Sequence, residues 1–100
     1  PVILEYMLGN LDKCIDSRGQ DYLESIFSNI SKSMGCSNPT DAIEEFEQMM
    51  ADMELANPVA GNREEELQAL STSVNPVRLK NNPILIDIPA ARALYSIIVK

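Results

Sequence analysis

The stretch SNPTDAIEEFEQMMADM, residues 37–53, decides the fold class because it combines a helix start signal with a helical repeat of apolar side chains. Asn38 can accept a hydrogen bond from the first turn, Pro39 suits the first helical position, and Asp41 brings a negative charge to the positive end of a helix dipole. Apolar residues then recur at helical spacing, namely Ile43, Phe46, Met50 and Met53. The stretch therefore predicts a helix that buries this stripe and exposes its acidic residues.

Two further helices are predicted on the amino-terminal side. Residues 2–8 form an almost wholly apolar run that closes at Gly9-Asn10, a pair suited to the left-handed residue that ends many helices. Residues 12–20 are polar and predict a loop with at most a helical turn around residues 14–15. After this loop comes a second apolar stripe at helical spacing, which Gly35 ends. Its members are Tyr22, Leu23, Ile26, Phe27, Ile30 and Met34.

Asn-Pro pairs divide the carboxyl-terminal half. Asn57-Pro58 ends the quoted helix, and Asn62, with Glu65 three residues later, has the spacing of a capping box. The stripe that follows is short, consisting of Leu67, Leu70 and Val74. Asn75-Pro76 ends it, and residues 76–86 are predicted to be extended or irregular because proline resists helix and restricts the residue before it.

A last helix is predicted from Asp87, which can cap it, with Pro89 in its first turn. Its buried face would consist of Ala91, Leu94, Tyr95 and Ile98. Residues 84–86 could be a short strand, but a lone strand has no partner in such a fold, so we predict a packed connection. The sequence thus predicts an all-α bundle of about five helices in a single domain, residues 1–100.

Composition and charge limit the partners. The 100 residues are 45% apolar and 23% charged, which is typical of one globular domain. The net charge is -7, and the eight basic residues are dispersed, whereas nucleic acid and anionic membrane surfaces attract clusters of Lys and Arg. The two cysteines, Cys14 and Cys36, are predicted to be reduced thiols of a cytoplasmic protein. No apolar run approaches the ~20 residues that span a bilayer.

The chain contains no histidine, which removes Ser-His-Asp and Cys-His catalysis and His-containing zinc sites from consideration. Its four glycines are isolated and form no phosphate-binding loop. A calcium loop centred on Gly19 would lack the required carboxylates. The acidic runs at 44–45 and 64–66 lie near helix starts, where the dipole favours negative charge, and are predicted to be solvated. We therefore predict no catalytic, cofactor-binding or metal-binding residue in this chain.

Methionines and tyrosines allow two interpretations. Met49, Met50 and Met53 could line an adaptable peptide groove, but two of the three fall on the apolar stripe, so core packing is favoured. The tyrosines lie on apolar faces and are predicted to be packing residues, namely Tyr6, Tyr22 and Tyr95.

Two short motifs resemble the C-terminal part of the iron-containing alcohol dehydrogenases. Pro1-Val2-Ile3-Leu4-Glu5-Tyr6 is similar to the helix that follows the family's metal-binding His-Gly stretch. Asn75-Pro76-Val77-Arg78 is similar to the Asn-Pro-Arg element before the family's last helix, although Val77 interrupts it. Residues 81–86 also depart from the usual brief polar cap. The helix-Gly35-helix spacing fits, so the resemblance spans the chain.

This resemblance implies a fold equivalent to the C-terminal part of a dehydroquinate-synthase-like helical domain. The parent would be a two-domain enzyme that interconverts alcohols and aldehydes with NAD(P) and an iron or zinc ion. The family's ligands and its Gly-rich cofactor loop lie upstream of this segment, so the resemblance assigns no functional residue here. The segment would be scaffold, with Val2, Ile3 and Tyr6 nearest the substrate cleft.

The resemblance further implies partners. These are the N-terminal nucleotide-binding domain and the metal-binding helices of the parent, from which the apolar start at Pro1 would have been cut. Without them, exposed apolar surface could cause self-association. Two alternatives remain open. One is a free-standing acidic helical interaction module. The other is an acyl-carrier-like domain, for which Asp16-Ser17 gives the minimal phosphopantetheine motif, although Arg18 stands where leucine is typical.

Overall fold

The computed structural model describes all residues from Pro1 to Lys100 and contains six α-helices and no strand. One 3-10 turn, Leu11–Lys13, follows the first helix. The helices are α1 (Val2–Gly9), α2 (Gln20–Ser33), α3 (Pro39–Asp52), α4 (Arg63–Ser73), α5 (Pro76–Leu79) and α6 (Ile88–Ile98). The all-α prediction is confirmed.

Side-chain caps fix the starts of α3, α4 and α6 at the residues that the sequence predicts, Asn38, Asn62 and Asp87. Each accepts a hydrogen bond from the backbone N–H three residues later, at 2.8 to 3.4 Å. The capping box differs in one detail: Glu65 accepts from the side-chain amide of Asn62, not from its backbone N–H. Local sequence alone therefore determines where these helices begin.

The sixth helix, α5, was not predicted. Asn75 accepts hydrogen bonds from the backbone N–H groups of Val77 and Arg78, at 3.0 and 3.2 Å, and Pro76 occupies the first helical position. The prediction that residues 76–86 are irregular is therefore wrong over residues 76–79. Proline ends the preceding helix, but its fixed φ also suits the start of a new one.

Residues 84–86 form no strand and are a packed connection, as predicted, but Ile84 has a backbone partner that the sequence did not indicate. Cys14 and Ile84 form an isolated antiparallel bridge. The Ile15 N–H donates to the Pro83 carbonyl, and the Leu85 N–H donates to the Lys13 carbonyl, each at 2.9 Å. The helical turn predicted around residues 14–15 is found earlier, as the 3-10 turn Leu11–Lys13. Cys14 is extended, as its bridge to Ile84 requires.

The helix ends are of two kinds. Gly35 has φ +75° and ends α2 in a Schellman motif, in which the Cys36 N–H donates to Ser31 and the Gly35 N–H to Lys32. At the end of α1, the left-handed residue predicted at Gly9-Asn10 is absent, since Asn10 has φ -132°. The Asn10 side-chain amide donates instead to the Tyr6 carbonyl at 2.8 Å, which satisfies the last turn without a left-handed residue.

Two small clusters form the core. Leu23 and Phe27 of α2 pack with Ile84, and the second cluster consists of Ile86, Ala91 and Leu94. Tyr6 packs against both clusters, and its hydroxyl donates to the Leu85 carbonyl at 3.3 Å. Helix α1 and the connection before α6 thus join the two halves of the chain.

Helices α4 and α6 form the most extensive helix pair. Leu67 and Ser71 of α4 are almost completely buried. On the surface of the pair, the Arg92 guanidinium forms a salt bridge with Glu64 and a hydrogen bond of 3.4 Å with Gln68.

The fold is flat and buries few of its residues. Its radius of gyration is 14.9 Å, against about 13 Å for a typical 100-residue domain. Its accessible surface is 6733 Å², whereas about 5,700 Å² is expected for a monomer of 11.1 kDa. Only 12 of 100 residues are buried. Roughly 1,000 Å² of surface is therefore exposed beyond what a closed domain of this mass presents.

Candidate interaction surface

An apolar groove lies where the start of α1, the end of α3 and the end of α6 meet. Its volume is about 520 Å³. We call it the α1/α3/α6 groove and define it by its apolar lining residues Val2, Ile3, Met50, Leu55, Ile97 and Ile98. This volume falls within the range of pockets that receive ligands or several partner side chains.

One wall of the groove is built by the way α3 ends. The Leu55 N–H donates to the Met50 carbonyl and the Glu54 N–H to the Ala51 carbonyl, each at 3.0 Å, which is a second Schellman motif. Glu54 holds the left-handed position with φ +56°, and it is the one non-glycine residue with positive φ. This turn directs the chain back, so that Leu55 and Met50 both line the groove.

The opposite wall is fixed by contacts at the end of α6. The Arg63 guanidinium, at the start of α4, donates to the Ser96 carbonyl at 2.6 Å and to the Val99 carbonyl at 3.4 Å. These carbonyls lie at the negative end of the α6 dipole, where a cation is stabilising. The Lys100 N–H also donates to the Pro58 carbonyl at 2.8 Å. The groove wall is therefore held by contacts distant in sequence.

The apolar stripe of α3 continues beyond the part that is buried. Ile43 and Ala42 near its start are buried, but Phe46, Met49 and Met53 are 42%, 44% and 56% exposed. We call these three exposed residues the α3 apolar face. The prediction that Phe46 and Met53 belong to the core is wrong, because α2 and α1 cover only part of the stripe. Met50 is half-buried and lines the groove.

The charge around this surface has one sign. From residue 39 to residue 55 the chain carries six carboxylates and no basic side chain. They are Asp41, Glu44, Glu45, Glu47, Asp52 and Glu54, and all six are exposed. Glu47 itself lines the groove. The prediction that the acidic runs at 44–45 and 64–66 are solvated is confirmed.

A second cavity of about 520 Å³ lies between the end of α4, α5 and the start of α6. It is lined mainly by apolar residues, among them Ile15, Leu79, Ile86 and Ile88. Of its charged residues, Asp87 already accepts a hydrogen bond from the Ala90 N–H as the cap of α6. No set of polar groups converges there, so this cavity supports no particular chemistry.

One ionisable pair is strongly perturbed, and it stabilises the entry into α2. The Arg18 guanidinium donates to both carboxylate oxygens of Asp16, at 3.0 and 2.9 Å, and its backbone N–H donates at 2.9 Å. These bonds, the side-chain ones first, lower the pKa of Asp16 from 3.8 to about 2, against a smaller opposing effect of desolvation. The same contact raises the pKa of Arg18.

Arg18 also lies over the ring of Tyr22, 4.3 Å from its centroid, and donates to its hydroxyl at 3.0 Å. The stripe position of Tyr22 predicted that it packs in the core, and this prediction is wrong. Its pairing with Arg18 explains why it is exposed instead. Ile30 of the same stripe is also 40% exposed. Ser17 is exposed in the turn before α2 rather than at a helix start, so its setting does not favour the acyl-carrier alternative.

Comparison with known proteins identifies no relative: no family model, no curated protein and no solved structure matches the chain.

The residues of this chain do not fit a divalent metal of the kind that the dehydrogenase resemblance implies for the parent. No group of three or more His, Cys, Asp and Glu side chains is positioned to hold an ion. Cys14 and Cys36 are both free thiols and are half-buried. No helix combines the length and apolar character needed to cross a bilayer.

Proposed function

We propose that this chain is the helical C-terminal portion of an NAD(P)-dependent, divalent-metal-dependent alcohol dehydrogenase, in which it acts as scaffold. The observation that carries the proposal is the uncovered apolar surface of α1, α3 and α6. Monomeric domains rarely expose a large contiguous apolar patch, whereas Ile3 of α1, Phe46 of α3 and Ile97 of α6 are all exposed here. The excess accessible surface of roughly 1,000 Å² is of the size that docking against further polypeptide would cover.

The positions of the two resembling motifs support this proposal. Residues 1–6 fall at the start of α1, which lines the groove, so polypeptide joined before Pro1 would begin beside the uncovered surface. The Asn75-Pro76 element caps α5, the short helix that precedes the connection into the last helix. Residues Val2 and Ile3 would then face the neighbouring metal-binding helices of the parent.

In this role the segment contributes packing and not chemistry. The parent would transfer hydride between an alcohol and nicotinamide, and the groups that bind metal and cofactor would come from the remaining polypeptide. The work of this chain would be to hold α1 in place through Tyr6, which contacts both core clusters. A cytoplasmic location follows from the same proposal, since a nicotinamide-dependent oxidoreductase needs that cofactor pool.

The coding sequence upstream of the Pro1 codon tests the proposal. We expect an open reading frame that continues in frame and encodes a His-Gly stretch shortly before Pro1, with a Gly-rich loop further upstream. An in-frame stop codon or an initiator codon directly before Pro1 would contradict it. The purified full-length product should oxidise an alcohol with NAD or NADP, and the chain of residues 1–100 should not.

The second candidate, a free-standing acidic interaction module, is favoured by the groove as well. It predicts a monomer that unfolds cooperatively on its own and uses the groove for a separate protein. The scaffold proposal predicts low stability and exposed apolar surface that binds a hydrophobic dye. Thermal unfolding of residues 1–100 followed by circular dichroism, together with dye binding, separates the two.

A further inference from the structure

The uncovered surface has two features that together restrict what can cover it. The α1/α3/α6 groove offers an apolar channel lined by residues of three helices. The helix that forms one side of it carries only negative charge, with Glu47 in the groove itself. An occupant must therefore supply apolar side chains and must not bring further carboxylates.

The shape favours a helix as the occupant. Two of the three helix ends that form the groove have paired backbone groups, since α3 ends in a Schellman motif and the end of α6 is held by Arg63 and Pro58. The chain contains no strand whose edge a further strand could join. Helix-in-groove packing needs only apolar anchors at helical spacing against an apolar surface, which these residues provide.

The charge argues against a second copy of this chain as the occupant. A symmetric dimer through this surface would bring two segments of six carboxylates together, each without a basic residue. The whole chain has a net charge of -7, so the approach of two copies is repulsive at low ionic strength. A cationic occupant gains from the same field that repels a second copy.

We propose that the α1/α3/α6 groove receives an amphipathic helix whose apolar side is flanked by Lys or Arg. This inference rests on the proposed function, because the helix is assigned to another segment of the same parent enzyme. The apolar side packs on Met50, Leu55 and Ile97, and the cations lie against Glu47 and its neighbours on α3.

Three synthetic helical peptides of about 20 residues test this assignment on the purified chain. Two share one Leu/Ile face and differ only in having Lys or Glu beside it. The third keeps the Lys residues and replaces the apolar face with Ala and Ser. Affinities are measured by titration calorimetry at about 50 mM and about 500 mM salt. We expect the Lys peptide to bind about tenfold more tightly than the Glu peptide at low salt, and salt to reduce the difference.

Matched variants place the binding on the surface. Leu55→Gln is expected to weaken binding of the Lys peptide at least about fivefold. Val77→Gln makes a similar change at an exposed apolar residue on α5, outside the groove, and is expected to leave the affinity unchanged. Glu47→Lys is expected to reduce the preference for Lys over Glu, and Glu45→Lys, which makes the same charge change outside the groove lining, is expected to reduce it less. Circular dichroism confirms that each variant is folded.

Several outcomes would overturn the inference. These are equal affinity for the Lys and Glu peptides, equal binding of the peptide without an apolar face, or equal effects of Leu55→Gln and Val77→Gln. Salt dependence also distinguishes a second copy of the chain as the occupant. If sedimentation showed a dimer that strengthens with salt and that the peptides do not dissociate, the occupant would be a second copy and not the proposed helix. The coding sequence upstream of Pro1, which tests the proposed function, does not depend on these binding results. A failure of this inference can therefore be distinguished from a failure of the proposed function.

Discussion

Replacing Glu54 with glycine is expected to stabilise the chain. Glu54 has φ +56° in the Schellman motif that ends α3, whereas glycine occupies the equivalent position after α2, where Gly35 has φ +75°. A side chain with a Cβ in this region costs about 1–2 kcal/mol. Glycine removes that cost but gives the unfolded chain more freedom, which offsets about 0.4–1 kcal/mol. The expected net gain in the free energy of unfolding is about 0.5–1 kcal/mol.

Charge adds a smaller contribution of the same sign. The Glu54 carboxylate lies just beyond the carboxyl end of α3, where the helix dipole disfavours a negative charge by a few tenths of a kcal/mol. Glu54→Gln removes the charge and keeps the Cβ, so it isolates this contribution. Gly35→Ala is the opposite test at the equivalent position, and it is expected to destabilise by about 1 kcal/mol.

Thermal and urea unfolding measured by circular dichroism check these values. For a chain of this size, 1 kcal/mol corresponds to a change in Tm of about 4–8 °C, so Glu54→Gly should raise Tm by roughly 2–8 °C. The reasoning would be refuted if Glu54→Gly lowered Tm, or if Glu54→Gln reproduced the whole gain. In the second case the left-handed backbone would carry no strain.

Three further changes test the rest of the fold. Asp16 has a pKa lowered to about 2, so it stabilises the native state above about pH 4 and loses this effect as pH falls through 2. Asp16→Asn should therefore flatten the dependence of stability on pH between about pH 4 and pH 2. Urea unfolding at each pH measures this. Arg63→Ala should reduce the free energy of unfolding by about 1 kcal/mol, because the carbonyls of Ser96 in α6 and of Val99 just after it lose a donor. Amide exchange should rise at the end of α6, and unchanged exchange there would contradict the capping role. Leu67→Ala should cost about 2–4 kcal/mol in urea unfolding, since this α4 side chain is only 2% exposed. A cost below about 1 kcal/mol would show that packing around α4 contributes little to stability.

Helix starts could be predicted from the sequence because their causes are local. Asn38, Asn62 and Asp87 each satisfy a backbone donor three residues away, so the residues that decide the structure are adjacent in the chain. The cap at Asn75 is equally local, and its signal was present in the Asn-Pro pair. That pair was interpreted only as a helix end, although proline serves both purposes.

Burial could not be predicted in the same way, because periodicity shows which residues share a face but not whether another element covers it. Ile43 and Phe46 lie on one stripe of α3, yet Ile43 is buried and Phe46 is 42% exposed. The bridge between Cys14 and Ile84 joins segments seventy positions apart and has no local signal. The groove depends on such contacts too, since it requires α1, α3 and α6 to meet.

Methionine oxidation tests most directly whether further polypeptide covers the α3 apolar face. Met49 and Met53 are 44% and 56% exposed, whereas Met7 and Met34 are half-buried and serve as internal references. Peroxide oxidation followed by peptide mass spectrometry is compared between residues 1–100 and the full-length parent protein that the proposed function expects. We predict that Met49 and Met53 oxidise faster than the references in the isolated chain and are protected in the full-length protein. Equal oxidation rates for these two residues in both proteins would contradict the account.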